Sequence, residues 1–278
     1  MSDMSAPFDA DALEFQAVRG LLTAKLVTPL GRTAVEALSP AATAAAAQAR
    51  LAAVEALRAK VDGGVGMPLS GAVEVRSWLL RFFDGEHALQ AQDAADLKRV
   101  LRTAERCRRW CLASPAPLAA FASAAPQLED LVEELEQIVD DRGEVMDSAS
   151  GKLREVRREI ERHKRAVESA MAGVLAAGDV RRCLQAPEPS WRHGRPVLQV
   201  KSDYRQRVRG VLHDRSASGA TLFIEPEAVV EVANRLSDAR AAENREINVV
   251  LADAARGLRR CGEQVRDGVE FVAASDLL

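Results

Sequence analysis

A mainly α-helical fold is predicted: a helical core, then two long antiparallel helices that carry a small antiparallel β-sheet at their tip. Three observations lead there. Hydrophobic residues make up 47% of the 278 residues but aromatics only 4%, so the core must be aliphatic, and Ala and Leu favour helix. Long stretches repeat apolar positions at spacings of three and four. Only the segment 186–226 changes to a strand-like period. The expected divisions are 1–145 for the helical core, 146–185 for the ascending helix, 186–226 for the β-tip and 227–278 for the descending helix.

In the core, Leu13, Phe15, Val18, Leu21, Leu22 and Leu26 give a helical spacing that breaks near Thr28-Pro29-Leu30-Gly31, so two helices with a turn are expected over 11–38. Ser39-Pro40 reads as a helix start, with Ser as cap and Pro at the first helical position. The Ala-rich run after it should be helical to about Lys60. Asp62-Gly63-Gly64-Val65-Gly66-Met67-Pro68 is a loop. Residues 73–112 read as helix with a turn at Asp84-Gly85-Glu86, and Pro115 and Pro117 end that region. Leu128, Leu131, Val132, Leu135 and Ile138 mark another helix over 126–139.

Beyond the turn Asp141-Arg142-Gly143, the run Asp147-Ser148-Ala149-Ser150 offers several N-caps. Leu153, Val156, Ile160, Val167, Met171 and Val174 then form a narrow apolar stripe, as in a helix pair. Val197, Leu198 and Val200 read as one strand. Val208, Val211 and Leu212 read as a second, and Thr221 to Ile224 as a third, with the polar turn Asp214–Ala220 between the last two. Trp191 and Phe223 are expected to supply the tip's small core. The helical period returns at Pro226 or Glu227 and runs nearly to the end, long enough to exceed about 60 Å at about 1.5 Å per residue. A helix of that length must pair with the helix of 150–175.

Composition excludes more than it selects. The net charge of −3 is neutral on partners, but it hides an acidic run over Glu129–Asp147 and a mostly basic one over Lys152–Arg165. The four cysteines are dispersed, and Cys107 and Cys111, four apart on one helix, have no His nearby to complete a zinc site. They read as buried structural thiols of a reduced, cytoplasmic protein. The start, with Ser2, Asp3, Asp9 and Asp11, is too polar for a signal peptide, and no apolar run reaches the ~20 residues of a membrane span. The histidines have no metal-binding spacing. The Gly63–Pro68 loop lacks the Lys-Ser/Thr and the preceding strand of a phosphate loop. No catalytic constellation emerges, so no catalytic, cofactor or metal residue is assigned. Ser216-Ala217-Ser218-Gly219 reads as a turn or a backbone anion nest.

The β-tip is the chain's most basic segment, with Arg192, Arg195, Lys201, Arg205, Arg207, Arg209 and Arg215 against Asp203, Asp214 and Glu225. These seven cations are the candidate nucleic-acid-binding residues. Arg205, Arg207 and Arg209 alternate, which on a strand would put three guanidiniums on one face about 6–7 Å apart, matching successive phosphates. Arg suits phosphate through bidentate hydrogen bonds. Base-specific reading is not expected, because only Tyr204, Trp191 and Phe223 offer stacking. The rival reading is a coiled-coil adaptor whose tip binds protein or ribosome.

The string from Val200-Lys201-Ser202-Asp203-Tyr204-Arg205 through Ser216-Ala217-Ser218-Gly219-Ala220-Thr221-Leu222-Phe223-Ile224-Glu225-Pro226 closely resembles the second bacterial MutS subfamily. Leu13-Glu14-Phe15, Thr28-Pro29-Leu30-Gly31-Arg32, Leu38-Ser39-Pro40 and Asp147-Ser148-Ala149-Ser150 resemble it too, and the likeness is weak over 60–140. The resemblance implies a core, two lever helices and a clamp that closes around DNA. It also implies an ATPase domain directly after this region, a C-terminal Smr nuclease domain and a homodimeric full-length protein. Branched DNA is the implied target in recombination and repair, with stalled ribosomes a second possibility. No Walker motif occurs in these residues, so ATP and Mg²⁺ are expected only with a downstream domain, and the chain is expected to stop inside the second lever helix.

Overall fold

The computed structural model describes residues 14–278; Leu13 and the polar start lie outside the described residues. The protein is mainly helical, with one four-stranded antiparallel sheet. It divides into two compact units. One contains the described residues up to Met146 together with Leu251–Leu278, and the other is Asp147–Val250.

The first unit opens with α1 (Phe15–Thr23) and α2 (Pro29–Ala34), the two helices expected on either side of Thr28. Thr28 caps α2 by accepting from the Gly31 amide at 2.9 Å. The next helix begins later than Ser39-Pro40 indicated. It is α3 (Ala44–Asp62), capped by Thr43, whose Oγ1 accepts from the Ala46 amide at 3.2 Å. A hydroxyl nearer the alanine run outcompetes Ser39, and Leu38 to Ala42 stays irregular. The glycine loop follows. Then come α4 (Arg76–Phe83), α5 (Ala91–Leu112), α6 (Ala116–Ser123) and α7 (Glu129–Ile138).

Helix α5 is the spine of this unit. Its Ala94, Leu97, Val100, Leu101, Ala104 and Cys107 are all fully enclosed. The last helix, α11 (Gly262–Asp276), packs on it with Val265, Val269 and Val272. Gly268 allows close packing there, since a Cβ would come within 3.3 Å of Leu101 Cδ2 of α5 and 2.6 Å of Leu128 Cδ1 before α7. Asp276 at the end of α11 accepts from the Val27 amide at 3.0 Å and from the Thr28 amide and hydroxyl, each at 2.7 Å. The last turn of α11 thereby holds the start of α2.

The second unit contains the helix pair and the sheet. α8 (Gly151–Ala176) is capped by Ser150, as one of the offered N-caps. A short α9 (Gly178–Cys183), not apparent in the periodicity, turns the chain toward the sheet. α10 (Glu227–Arg260) has 34 residues, about 51 Å at about 1.5 Å per residue. It is shorter than the unbroken helix expected, because the chain leaves helical geometry at Cys261 (φ −101°, ψ 24°) and restarts as α11 at Gly262. Gly262 lies against Phe83, whose ring carbon would be 3.0 Å from an added Cβ.

Helices α8 and α10 run antiparallel. Ser150 Oγ donates to Glu246 Oε1 at 2.7 Å, and farther along Arg157 Nε donates to Glu243 Oε1 at 2.8 Å. Val156, Ile160, Val167 and Met171 from α8 meet Val229, Ala233, Leu236 and Ala239 from α10 in one apolar cluster. That is the seam the stripe on α8 announced.

The strands are β1 (Ser190–Arg192), β2 (Arg195–Lys201), β3 (Gly210–Arg215) and β4 (Thr221–Pro226), in the order β1-β2-β4-β3. Leu198 faces Ile224 and Val200 faces Leu222 across the β2–β4 ladder. These four residues complete the helix-pair cluster, so helices and sheet share one core. The first strand was not expected. It exists because His193 (φ 49°) and Gly194 (φ 75°) form a two-residue turn that folds Trp191 back on Pro196.

Candidate nucleic-acid interface

The seven cations nominated for binding all lie in or beside this sheet, in three different settings. Arg192 on β1 and Arg215 on β3 are exposed. Arg207 and Arg209 are exposed too, but in the connection between β2 and β3. Lys201, at the end of β2, is half-buried.

Arg205, Arg207 and Arg209 do not share a strand face. Ser202–Arg207 forms a 3-10 turn, and β3 begins only at Gly210. The physical reason lies in the neighbours. Between Lys201 and Val208 the only apolar-bodied side chain is Tyr204, itself 41% exposed, so a strand there would have nothing to bury. Val208 alone turns inward, to 3% exposure. Arg205 folds back over the turn, donating to Val208 O at 3.1 Å and Gly210 O at 3.3 Å. The expected row of three equally spaced guanidiniums is replaced by a turn that presents Arg207 and Arg209, with Arg205 bracing it.

Arg195 has an internal task. Its Nε donates to Glu225 Oε2 at 3.0 Å, its Nη2 lies 2.7 Å from Glu225 Oε1, and Nη2 also donates to Asn234 Oδ1 at 2.8 Å. Glu225, 1% exposed, additionally pairs with His213 Nε2 at 2.6 Å. This buried carboxylate therefore ties β2, β3, β4 and the first turns of α10 together. A buried charge is tolerable only when paired in this way.

The aromatic residues also differ from expectation. Phe223 is buried, with the Arg192 guanidinium 4.3 Å above its ring. Trp191 is not core. It is 49% exposed and stacks beneath Arg240 of α10 at 5.4 Å. As the lone large residue of a three-residue edge strand, it has no apolar partner across the ladder beyond Pro196 opposite it. The Trp191–Arg240 contact had no sequence signal, since it joins residues far apart in the chain.

The turn Ser216–Ala220 closes the β3–β4 hairpin. Gly219 takes φ 71°, its amide donates to Ser216 O at 2.8 Å, and Ser216 Oγ accepts from the Thr221 amide at 3.0 Å. The Ser216 hydroxyl is thus used within the turn.

The glycine loop does not fit an ATP cradle. Gly63–Pro68 follows α3 rather than a strand, and nearby Lys60 lies 4.2 Å over the Trp110 ring and donates to Ser114 Oγ at 2.7 Å. Among the described residues no cluster of His, Cys, Asp and Glu could hold a metal ion, and no helix is long and apolar enough to cross a membrane. Cys107, Cys111 and Cys183 are buried free thiols, and Cys261 is half-buried.

The geometry is thus a basic four-stranded antiparallel sheet between the two long helices α8 and α10. No family model matches the chain. Curated relatives do. The chain is 34% identical to "Endonuclease MutS2" of Symbiobacterium thermophilum over 95% of its own length and 33% of that protein's. It is 31% identical to "Endonuclease MutS2" of Geobacillus sp. and of Halalkalibacterium halodurans, over 96% of the chain and 35% of each. The chain is homologous to the N-terminal region of endonuclease MutS2 and spans about a third of these relatives' length.

Proposed function

We propose that this region grips DNA through its phosphates, with the small sheet as the clamp and α8 and α10 as its levers. Arg192, Arg207, Arg209 and Arg215 make the contacts and Lys201 adds charge at the edge. Arg195 and Arg205 act indirectly, by holding the sheet and its turn in shape. The observation that carries the reading is the combination of four exposed arginines, two on strands and two in the β2–β3 connection, on a sheet whose own geometry is fixed by buried pairing. Phosphate contacts of this kind fix position without reading sequence. In the full-length protein, a homodimer, the grip is coupled to ATP hydrolysis by a domain outside this chain. The target there is branched DNA in recombination and repair.

The test is a combined Arg192→Ala, Arg207→Ala, Arg209→Ala and Arg215→Ala variant, assayed for binding to a four-way DNA junction. Binding should fall by at least about a hundredfold while the circular dichroism spectrum is kept, at roughly 1 kcal/mol or more per charge-assisted contact. Unchanged affinity in a folded variant would refute the clamp assignment.

A second reading has one observation in its favour: Trp191, Tyr204 and Val211 are all more than 40% exposed on or beside the same sheet. Such a surface suits a protein or ribosomal partner. Binding that is indifferent to salt would select it.

A further inference from the structure

We infer that α8 carries a second phosphate-binding surface, the arginine stripe Arg154, Arg158, Arg162 and Arg165, which extends DNA contact along the lever. The inference rests on DNA being the partner, and the experiment below separates its failure from that of the clamp.

At about 100° per residue, these four side chains fall on one side of α8, opposite Leu153, Val156, Ile160 and Val167, which are buried. All four are exposed. From Arg154 to Arg165 the stripe covers about 16 Å at about 1.5 Å per residue, close to five base-pair steps of duplex at about 3.4 Å each.

Ion pairing does not explain the stripe. Among the described residues, Arg154 and Arg158 have no ion-pair partner. Arg162 reaches only Glu159, at 3.4 Å, with both side chains more than half exposed, so the pair is weak. Glu161 lies among the arginines; its carboxylate pairs with Lys164 at 2.6 Å, and Arg165 acts on it only through longer-range charge, without an ion-pair contact. Glu155 and Glu168 are the remaining carboxylates of α8, and neither pairs with a cation among the described residues. Arg157, beside the stripe, is different. It is held by Glu243 and by Asp147, so it belongs to the helix pairing.

Arg154 to Arg158 and Arg158 to Arg162 are i,i+4 steps, and Arg162 to Arg165 is an i,i+3 step. Like charges at those spacings weaken a helix by about 0.2–0.5 kcal/mol each. Internal stability therefore does not account for the row. A polyanion laid along it reverses the sign of that repulsion, and guanidinium is the side chain best matched to phosphate oxygens.

Two variants of this chain are compared with the unaltered protein on duplex DNA, from about 50 mM to about 200 mM salt. One is the clamp variant described above. The other replaces Arg154, Arg158, Arg162 and Arg165 with Gln, a good helix former that removes only the charge. Each phosphate contact contributes about 0.9 to the slope of log affinity on log salt. The Gln variant should therefore lose about 3.6 from the slope's magnitude, and the clamp variant should keep that portion. An all-Lys version of the stripe should restore most of the loss. If the Gln variant matches the unaltered protein while the clamp variant is weakened, the stripe is refuted and the clamp stands. If only the Gln variant is weakened, the stripe stands and the clamp assignment falls. Failure of the unaltered chain to bind duplex refutes the stripe, and failure to bind a four-way junction as well refutes the clamp too.

Discussion

Replacing Glu225 with Gln tests whether the small sheet is held by charge or by packing alone. The carboxylate is 1% exposed and meets Arg195 through two contacts, at 3.0 and 2.7 Å, and His213 at 2.6 Å. The amide keeps the shape, but it loses the charge and one of the two acceptors. Removing one partner of a buried pair costs about 3–5 kcal/mol. The Arg195 and His213 side chains are 18% and 21% exposed, so water recovers part of their solvation, and a loss of about 3 kcal/mol is expected. Urea unfolding followed through Trp191 reads it directly, in a background where Trp78 and Trp110 are replaced by Phe. Adding Arg195→Met should then cost little more, because its partner is already gone. A loss below about 1 kcal/mol, or losses that simply add in the double variant, would show that the buried network does not hold the sheet.

Other expectations concern the helical unit. Asp276→Ala removes three hydrogen bonds from Val27 and Thr28 and should destabilise that unit by about 2–3 kcal/mol in thermal or urea unfolding. Lys98, 2% exposed, lies 2.9 Å from Asp141, and that ammonium holds the Asp141 carboxyl below its usual range. A lowered carboxyl contributes stability above its ordinary value that is lost as pH falls, so Asp141→Asn should flatten the decline in stability below about pH 4. Burial pushes the Cys107 thiol up to about 12 and the Cys111 thiol up to about 11. Both should resist a thiol-specific reagent at about pH 8 until the protein unfolds, and their contribution to stability should fade as pH rises above the ordinary thiol value of about 8.5.

Helix periodicity was legible because the apolar positions on α5, α7, α8 and α10 are buried, and a buried stripe leaves its spacing in the sequence. The sheet's inner face was legible for the same reason, through Leu198, Val200, Leu222 and Ile224. What failed was inference from charge alternation. Arg205, Arg207 and Arg209 alternate as a strand would, but alternation makes a strand only when the intervening residues have something to bury, and Gln206 does not. Trp191 failed by a related route. A large aromatic was assigned to the core, yet its edge strand gives it only Pro196 across the ladder, and Arg240 of α10 covers it instead. The split of the last helix at Cys261 lies beside Gly262, which packs against Phe83. That is a tertiary fact with no local signature beyond the glycine.

The central claim, that the exposed arginines of the sheet hold phosphates, is tested most directly by the salt dependence of DNA binding by this chain. Four phosphate contacts at the clamp predict a slope of log affinity on log salt of about −4, steeper still if the α8 stripe engages. A slope near zero, at an affinity that persists, would contradict phosphate recognition and assign the tip to a protein partner.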